Sequence, residues 1–123
     1  MSFLKKLFAK KPKAEPLLVV AKIIAVERHP NADRLHVLRV DCGIGELQQI
    51  VCGAPNVRAG FIGVLARPGA ILPGETEPLE ARELRGVKSF GMMCSAKELG
   101  IGDDHDGIAE LSENSRIGVE YKK

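Results

Sequence analysis

The sequence predicts an all-β fold closed into a small barrel, and three observations carry that expectation. Short apolar runs rich in Val, Ile and Leu recur along the chain, separated by turn residues. Thirteen Gly and seven Pro are scattered rather than clustered, which divides the chain into many short elements. Only one short helix signal stands among the strand signals after residue 16. Closing the sheet removes exposed strand edges, which suits a chain of 123 residues. Aromatic residues are 4% of the chain and Trp is absent, so the core must be aliphatic.

Each element has its own signal. Leu17 to Val26 is a nearly continuous apolar run with β-branched residues and reads as a long first strand. His29-Pro30-Asn31-Ala32-Asp33 is a turn, because Pro fixes φ and Asn and Asp bond their own backbone. Leu35 to Asp41 is the second strand. Its apolar phase slips between Val37 and Leu38, which predicts a β-bulge there. Gly43-Ile44-Gly45 makes a hairpin turn into a third strand, Leu47 to Cys52. Gly53 to Asn56 breaks it, and Phe61 to Ala66 is the fourth strand. Pro68-Gly69 and Pro73-Gly74 are turns. Leu79 to Leu84 and Gly91 to Cys94 are expected as closing strands, with Arg85 to Phe90 as a loop between them. Ser95 and Glu98 form a capping box at a helix start, and Gly100 stops that helix. Gly107 to Leu111 is expected as one more short strand.

Residues 1–16 read differently, as a basic amphipathic arm and linker ahead of a single barrel domain at 17–123. Ser2 can cap a short helix with Phe3, Leu4, Leu7 and Phe8 on one face and lysines on the other, ended by Pro12. So short a helix needs a surface to persist. Residues 1–13 carry five lysines and no acid. The remaining 13 bases face 16 acids, a net of −3, so the whole positive excess of the +2 chain lies in the arm.

Several function classes are excluded. No apolar run is long enough for a membrane span, and the basic start lacks the pattern of a secretory signal. Cys42, Cys52 and Cys94 are an odd number at wide spacing, which points to reduced, mostly buried thiols in a cytoplasmic protein. The spacing of His29, His36 and His105 fits no zinc pattern. Asp103, Asp104 and Asp106 lack the Glu that a calcium loop requires. Ser95 is explained by its cap, and no catalytic set, metal or cofactor is expected.

The functional signal lies in three segments: His29-Pro-Asn-Ala-Asp-Arg-Leu35, Ile50-Val-Cys-Gly-Ala-Pro-Asn56 and Leu84-Arg-Gly-Val-Lys-Ser-Phe-Gly-Met92. Together, in this order, they resemble the tRNA-binding OB domain found in several synthetases and as free-standing proteins. Cys94-Ser95, Glu98-Leu-Gly100 and Asp103-Asp-His-Asp-Gly107 are similar in particular to the module near the N-terminus of the bacterial phenylalanyl-tRNA synthetase beta subunit. The resemblance covers roughly Val19 to Glu120. It implies an OB-fold, a five-stranded Greek-key barrel with a short helix and additional C-terminal strands. It also implies non-catalytic binding of structured RNA, with tRNA as partner, an aminoacyl-tRNA synthetase as a further partner, and a homodimer. The arm does not look like the start of that subunit, and a free-standing relative is expected.

The resemblance places Asn31, Arg85, Ser89 and Met92 in the RNA site, with Met92 packing beneath the loop. OB barrels use the loop after strand one and the face of strands two and three, which adds Arg34 and Arg39. Arg85 and Lys88 can pair with phosphates, and Ser89 can donate a hydrogen bond. Two residues depart from the family pattern. Glu83 stands where a Lys is usual, with Arg82 expected on the opposite strand face. Phe90 stands where a polar residue is usual and can stack on a base. Two competing readings are a protein-interaction module that has lost RNA binding, suggested by Glu83 and the net −3, and a membrane-surface protein anchored by the arm. On the RNA reading, deleting Met1 to Lys13 should weaken all RNA binding alike and leave the barrel folded.

Overall fold

The computed structural model describes residues 16–122; the arm helix expected at residues 2–11 lies outside them. Seven strands and one helix follow in order. They are β1 (Leu18–Arg28), β2 (His36–Asp41), β3 (Gln48–Cys52), β4 (Ile62–Ala66), β5 (Arg82–Leu84), β6 (Val87–Ser89), β7 (Met92–Met93) and α1 (Ala96–Leu99). Five strands form one antiparallel sheet in the order β3-β2-β1-β4-β7. Its two ends come together with β3 beside β7, giving the nearly closed five-stranded barrel of an OB-fold.

The long first strand is what lets the sheet curl. Its first half pairs with β4, from Leu18–Ala66 to Lys22–Ile62. Its second half pairs with β2, from Lys22–Asp41 to Arg28–His36. The register slips between Ile23 and Ala25, so the bulge lies at Ile24 on β1 and not in the second strand. A bulge bends the strand and increases its twist, which suits the strand shared by both halves of a barrel. The apolar phase change at Val37 and Leu38 has another cause. Both are buried, and successive side chains point to opposite faces, so β2 is covered on both sides there.

Two apolar clusters flank β4. Inside the barrel, Ile23, Leu38, Val40, Ile50, Phe61 and Leu65 are packed together. On the outer side, Val64 and Ala66 pack with Ala70, Cys94 and Leu99. That double coverage is why β4 reads as an unbroken apolar run. The α1 capping box forms as expected: Glu98 N–H donates to Ser95 Oγ at 3.2 Å and Ser95 N–H donates to Glu98 Oε1 at 2.8 Å. The helix is a single turn, and Gly100 ends it.

The C-terminal region departs from the expectation. Gly107 to Leu111 is not a strand. Ala109 N–H donates to Cys94 O and Leu111 N–H donates to Ile62 O. These bonds fall on different parts of the sheet, so no ladder builds on either. Further on, Val119 O and Gly118 N–H bond Val20, and Tyr121 N–H bonds Leu18 O. The tail thus makes an isolated bridge, Val19–Glu120, beside the start of β1.

Cys42 and Cys94 are buried and Cys52 is half-buried. Burial first, then the Glu98 carboxylate, push the Cys94 thiol up to about 12. Burial also raises Cys52. An unfolded thiol ionises near the ordinary 9.0, whereas the folded Cys94 holds its proton to about 12. Its contribution to stability is therefore fully present below 9.0 and is lost as pH rises towards about 12. We expect denaturation midpoints of the wild type to fall across that window more steeply than those of Cys94→Ala. Equal slopes would contradict this assignment.

Candidate nucleic-acid interface

The segment expected as a loop between Leu84 and Gly91 is a hairpin. β5 and β6 pair as Arg82–Ser89, Glu83–Lys88 and Leu84–Val87, and only Arg85 and Gly86 lie at the turn. Arg85 has φ 51 and Gly86 φ 89. Positive φ at both central residues is the mark of a type I′ turn, whose twist matches the flanking strands. Arg85 is the one non-Gly residue with positive φ among the described residues. A long cationic side chain is thereby held at the hairpin tip.

The tip is stapled to the turn after β1. His29 is buried, and its two ring nitrogens are both engaged. Nδ1 accepts from Asn31 N–H at 2.9 Å, so Nε2 carries the proton and donates to Leu84 O at 2.8 Å. Asn31 Nδ2 donates to Arg85 O at 2.9 Å, and the Arg85 guanidinium donates to Asn31 O at 3.3 Å. Asn31 and Arg85, 54 positions apart, therefore meet at one corner of the barrel. Arg34 lines the same shallow groove.

The base of the hairpin closes the barrel seam. Phe90 N–H donates to Gln49 O, and Gln49 Nε2 donates to Lys88 O. Ser89 is 3% exposed. Its hydroxyl accepts from Val51 N–H at 2.9 Å and donates to Gly91 O at 3.0 Å. Both bonds serve the seam rather than the surface. Met92 pairs with Ala66 and packs on the outer apolar cluster.

The remaining expected residues are exposed along this hairpin. Phe90, 39% exposed, shares a groove with Arg39, Leu47 and Gln49, and Arg39 and Gln49 are register partners. Lys88 and Phe90 line a second groove with Arg82 and Glu83. Arg82, expected on the strand face opposite Glu83, lines this groove together with Glu83 and Lys88. Arg34, Arg39, Arg82, Arg85 and Lys88 thus follow the hairpin from tip to base, against Asp33, Glu46 and Glu83. Leu47 and Gln49 escaped the sequence reading, because only strand register places them beside Phe90. The Gly53–Asn56 segment has a structural role: the Asn56 amide makes two 2.9 Å bonds with the Ile108 backbone.

Among the described residues, no group of three or more His, Cys, Asp or Glu is placed to hold a metal ion. No helix among them is long and apolar enough to cross a membrane.

Residues 18–120 match the family described as "Putative tRNA binding domain". The chain belongs to the tRNA-binding domain family. It is 51% identical over 102 residues to the phenylalanine--tRNA ligase beta subunit of Brucella abortus (strain 2308), and equally so to that of Zymomonas mobilis. Each match covers 83% of this chain but only 13% of the relative, so the chain spans a small part of the subunits it resembles. The C-terminal domain of Plasmodium vivax p43 superposes with a TM-score of 0.58, covering 82% of this chain and 56% of that one. At 22% identity, that likeness shows the fold alone.

Proposed function

We propose that this chain holds structured RNA of the tRNA class on the face organised by the β5–β6 hairpin, without chemistry of its own. The observation that carries the reading is the junction of Asn31 and Arg85, which brings two family-like motifs to one corner. From there the cations run down the hairpin to an exposed Phe90. Phosphates meet Arg34, Arg85 and Lys88, and an unstacked base meets Phe90 beside Arg39. Asn31 and Ser89 act by fixing the backbone that presents these groups. Residues 1–16 form an arm ahead of the binding domain at 17–123. A cytoplasmic location, a synthetase partner and a homodimer belong to the same proposal. Similarity to a segment of a synthetase subunit supports the first two, and the family resemblance alone supports the third.

Glu83 tests the reading. Its carboxylate stands opposite Lys88 in the hairpin register and weakens the positive field where phosphate would approach. In a mobility-shift titration with tRNA, Glu83→Lys should tighten binding several-fold at low salt, and the gain should shrink as salt screens it. Two lysines then face each other across the hairpin, which costs at most ~1 kcal/mol of stability. Unchanged or weaker binding by the folded variant would count against this surface.

A further inference from the structure

Another groove, of about 720 Å³, lies beside the hairpin and has the opposite character. Leu72, Leu79 and Met92 form its apolar floor, half-buried against the outer cluster. Glu75, Glu77 and Glu80 stand exposed around it, with Arg82 as its lone lining cation. Glu98 also lines it, but its carboxylate is tied to the capping box. Three solvated carboxylates over an apolar floor repel phosphate and suit a cationic segment that carries apolar side chains of its own.

The chain contains such a segment. Residues 1–13 carry Lys5, Lys6, Lys10, Lys11 and Lys13 with no acid, interleaved with Phe3, Leu4, Leu7 and Phe8. The described chain begins beside the turn that carries one side of the groove. Leu17 O accepts from Arg67 N–H at 2.8 Å, and a Leu17 methyl lies 3.6 Å from where a Cβ on Gly69 would stand. Gly69 N–H in turn donates to Leu79 O, and Leu79 N–H donates to Ala70 O, both at 2.7 Å. Leu79 and Ala70 line the groove. Three residues lie between Lys13 and Leu17, so the four steps from one to the other span at most ~14 Å.

We propose that this groove is the docking site of the chain's own arm, Met1–Lys13. Phe and Leu side chains cover the Leu72–Leu79–Met92 floor while lysines pair with Glu75, Glu77 and Glu80. Because Arg82 borders both the groove and the hairpin face, the docked arm also neutralises the carboxylates nearest the cationic surface.

The test uses the full chain without RNA, so its outcome is independent of the RNA reading. Zero-length carbodiimide cross-linking at about 0.01 M salt, where screening is weak, followed by peptide mapping, reads the contact. Arm lysines should join Glu75, Glu77 or Glu80 within single chains, and Phe3→Ser with Phe8→Ser should reduce those links several-fold. Trypsin cleavage within residues 5–13 should be slow in the wild type and several-fold faster in the triple variant Glu75→Gln, Glu77→Gln, Glu80→Gln. All three glutamates are exposed, so that variant should keep its fold. Links spread evenly to Glu27, Glu46 and Glu113, links between two copies, or a cleavage rate indifferent to the triple change would overturn the proposal.

Discussion

Replacing Arg85 with Asn should separate RNA binding from folding. Arg85 sits at φ 51, ahead of Gly86 at φ 89. A left-handed backbone costs an ordinary residue roughly 1–2 kcal/mol, and Asn adopts it more readily than Arg. Asn-Gly is also the favoured pair for this turn. The variant's melting temperature should therefore hold or rise. The bond lost, Arg85 Nη1 to Asn31 O, is exposed and 3.3 Å long, and contributes little. Affinity for tRNA should instead fall by ~1–3 kcal/mol, roughly five- to 150-fold, if arginine at phosphate here behaves as it does on DNA. Adding Lys88→Ala should deepen the loss without unfolding the domain, since Lys88 is also exposed. Paired thermal melts and filter binding read both quantities. An Arg85→Asn protein that binds like the wild type would remove the hairpin tip from the site.

Gly91→Ala should do the reverse and strike the fold first. Gly91 links β6 to β7 at φ 149, and a Cβ there would lie 2.6 Å from the Ala66 carbonyl oxygen. The backbone cannot retreat easily, because Ser89 Oγ bonds Gly91 O and Met92 pairs with Ala66. Steric overlap and backbone strain together should cost on the order of 3 kcal/mol. The melting temperature should drop on the order of 10 °C. Gly45→Ala is the control: its φ is 94, but a Cβ there meets nothing within 4 Å. It should lose only the conformational part, ~1–2 kcal/mol. Equal losses at the two positions would mean that Gly91 is not tightly packed at the seam.

The fold was legible wherever a local rule and a global need agreed. The apolar run of β1, the turn at His29–Asp33 and the Ser95–Glu98 cap are local patterns with one physical solution. The bulge was not. Two-sided burial at Val37–Leu38 imitates a phase slip, whereas Ile24, the true bulge residue, sits in an apolar run that hides it. The β5–β6 hairpin is hidden in the sequence, because Arg-Gly lacks the usual Asn-Gly turn signature. The site shows the same division. Cationic side chains on a turn can be read from sequence. The commitment of Ser89 cannot, since it depends on Val51, 38 positions away, and on how the barrel closes. Long-range register also determines that Arg39, Leu47 and Phe90 share a groove.

Equilibrium binding of the full chain to tRNA across a salt series, with anionic vesicles run in parallel, tests the central claim most directly. Recognition through arginine and lysine at phosphates predicts that the logarithm of the association constant falls linearly with the logarithm of salt concentration. The slope should be about −0.7 to −0.9 for each phosphate contacted. It should become shallower in the Arg85→Asn, Lys88→Ala protein, while vesicles bind more weakly than tRNA throughout. A tRNA affinity indifferent to salt, or vesicle binding that exceeds tRNA binding at every salt concentration, would contradict the account.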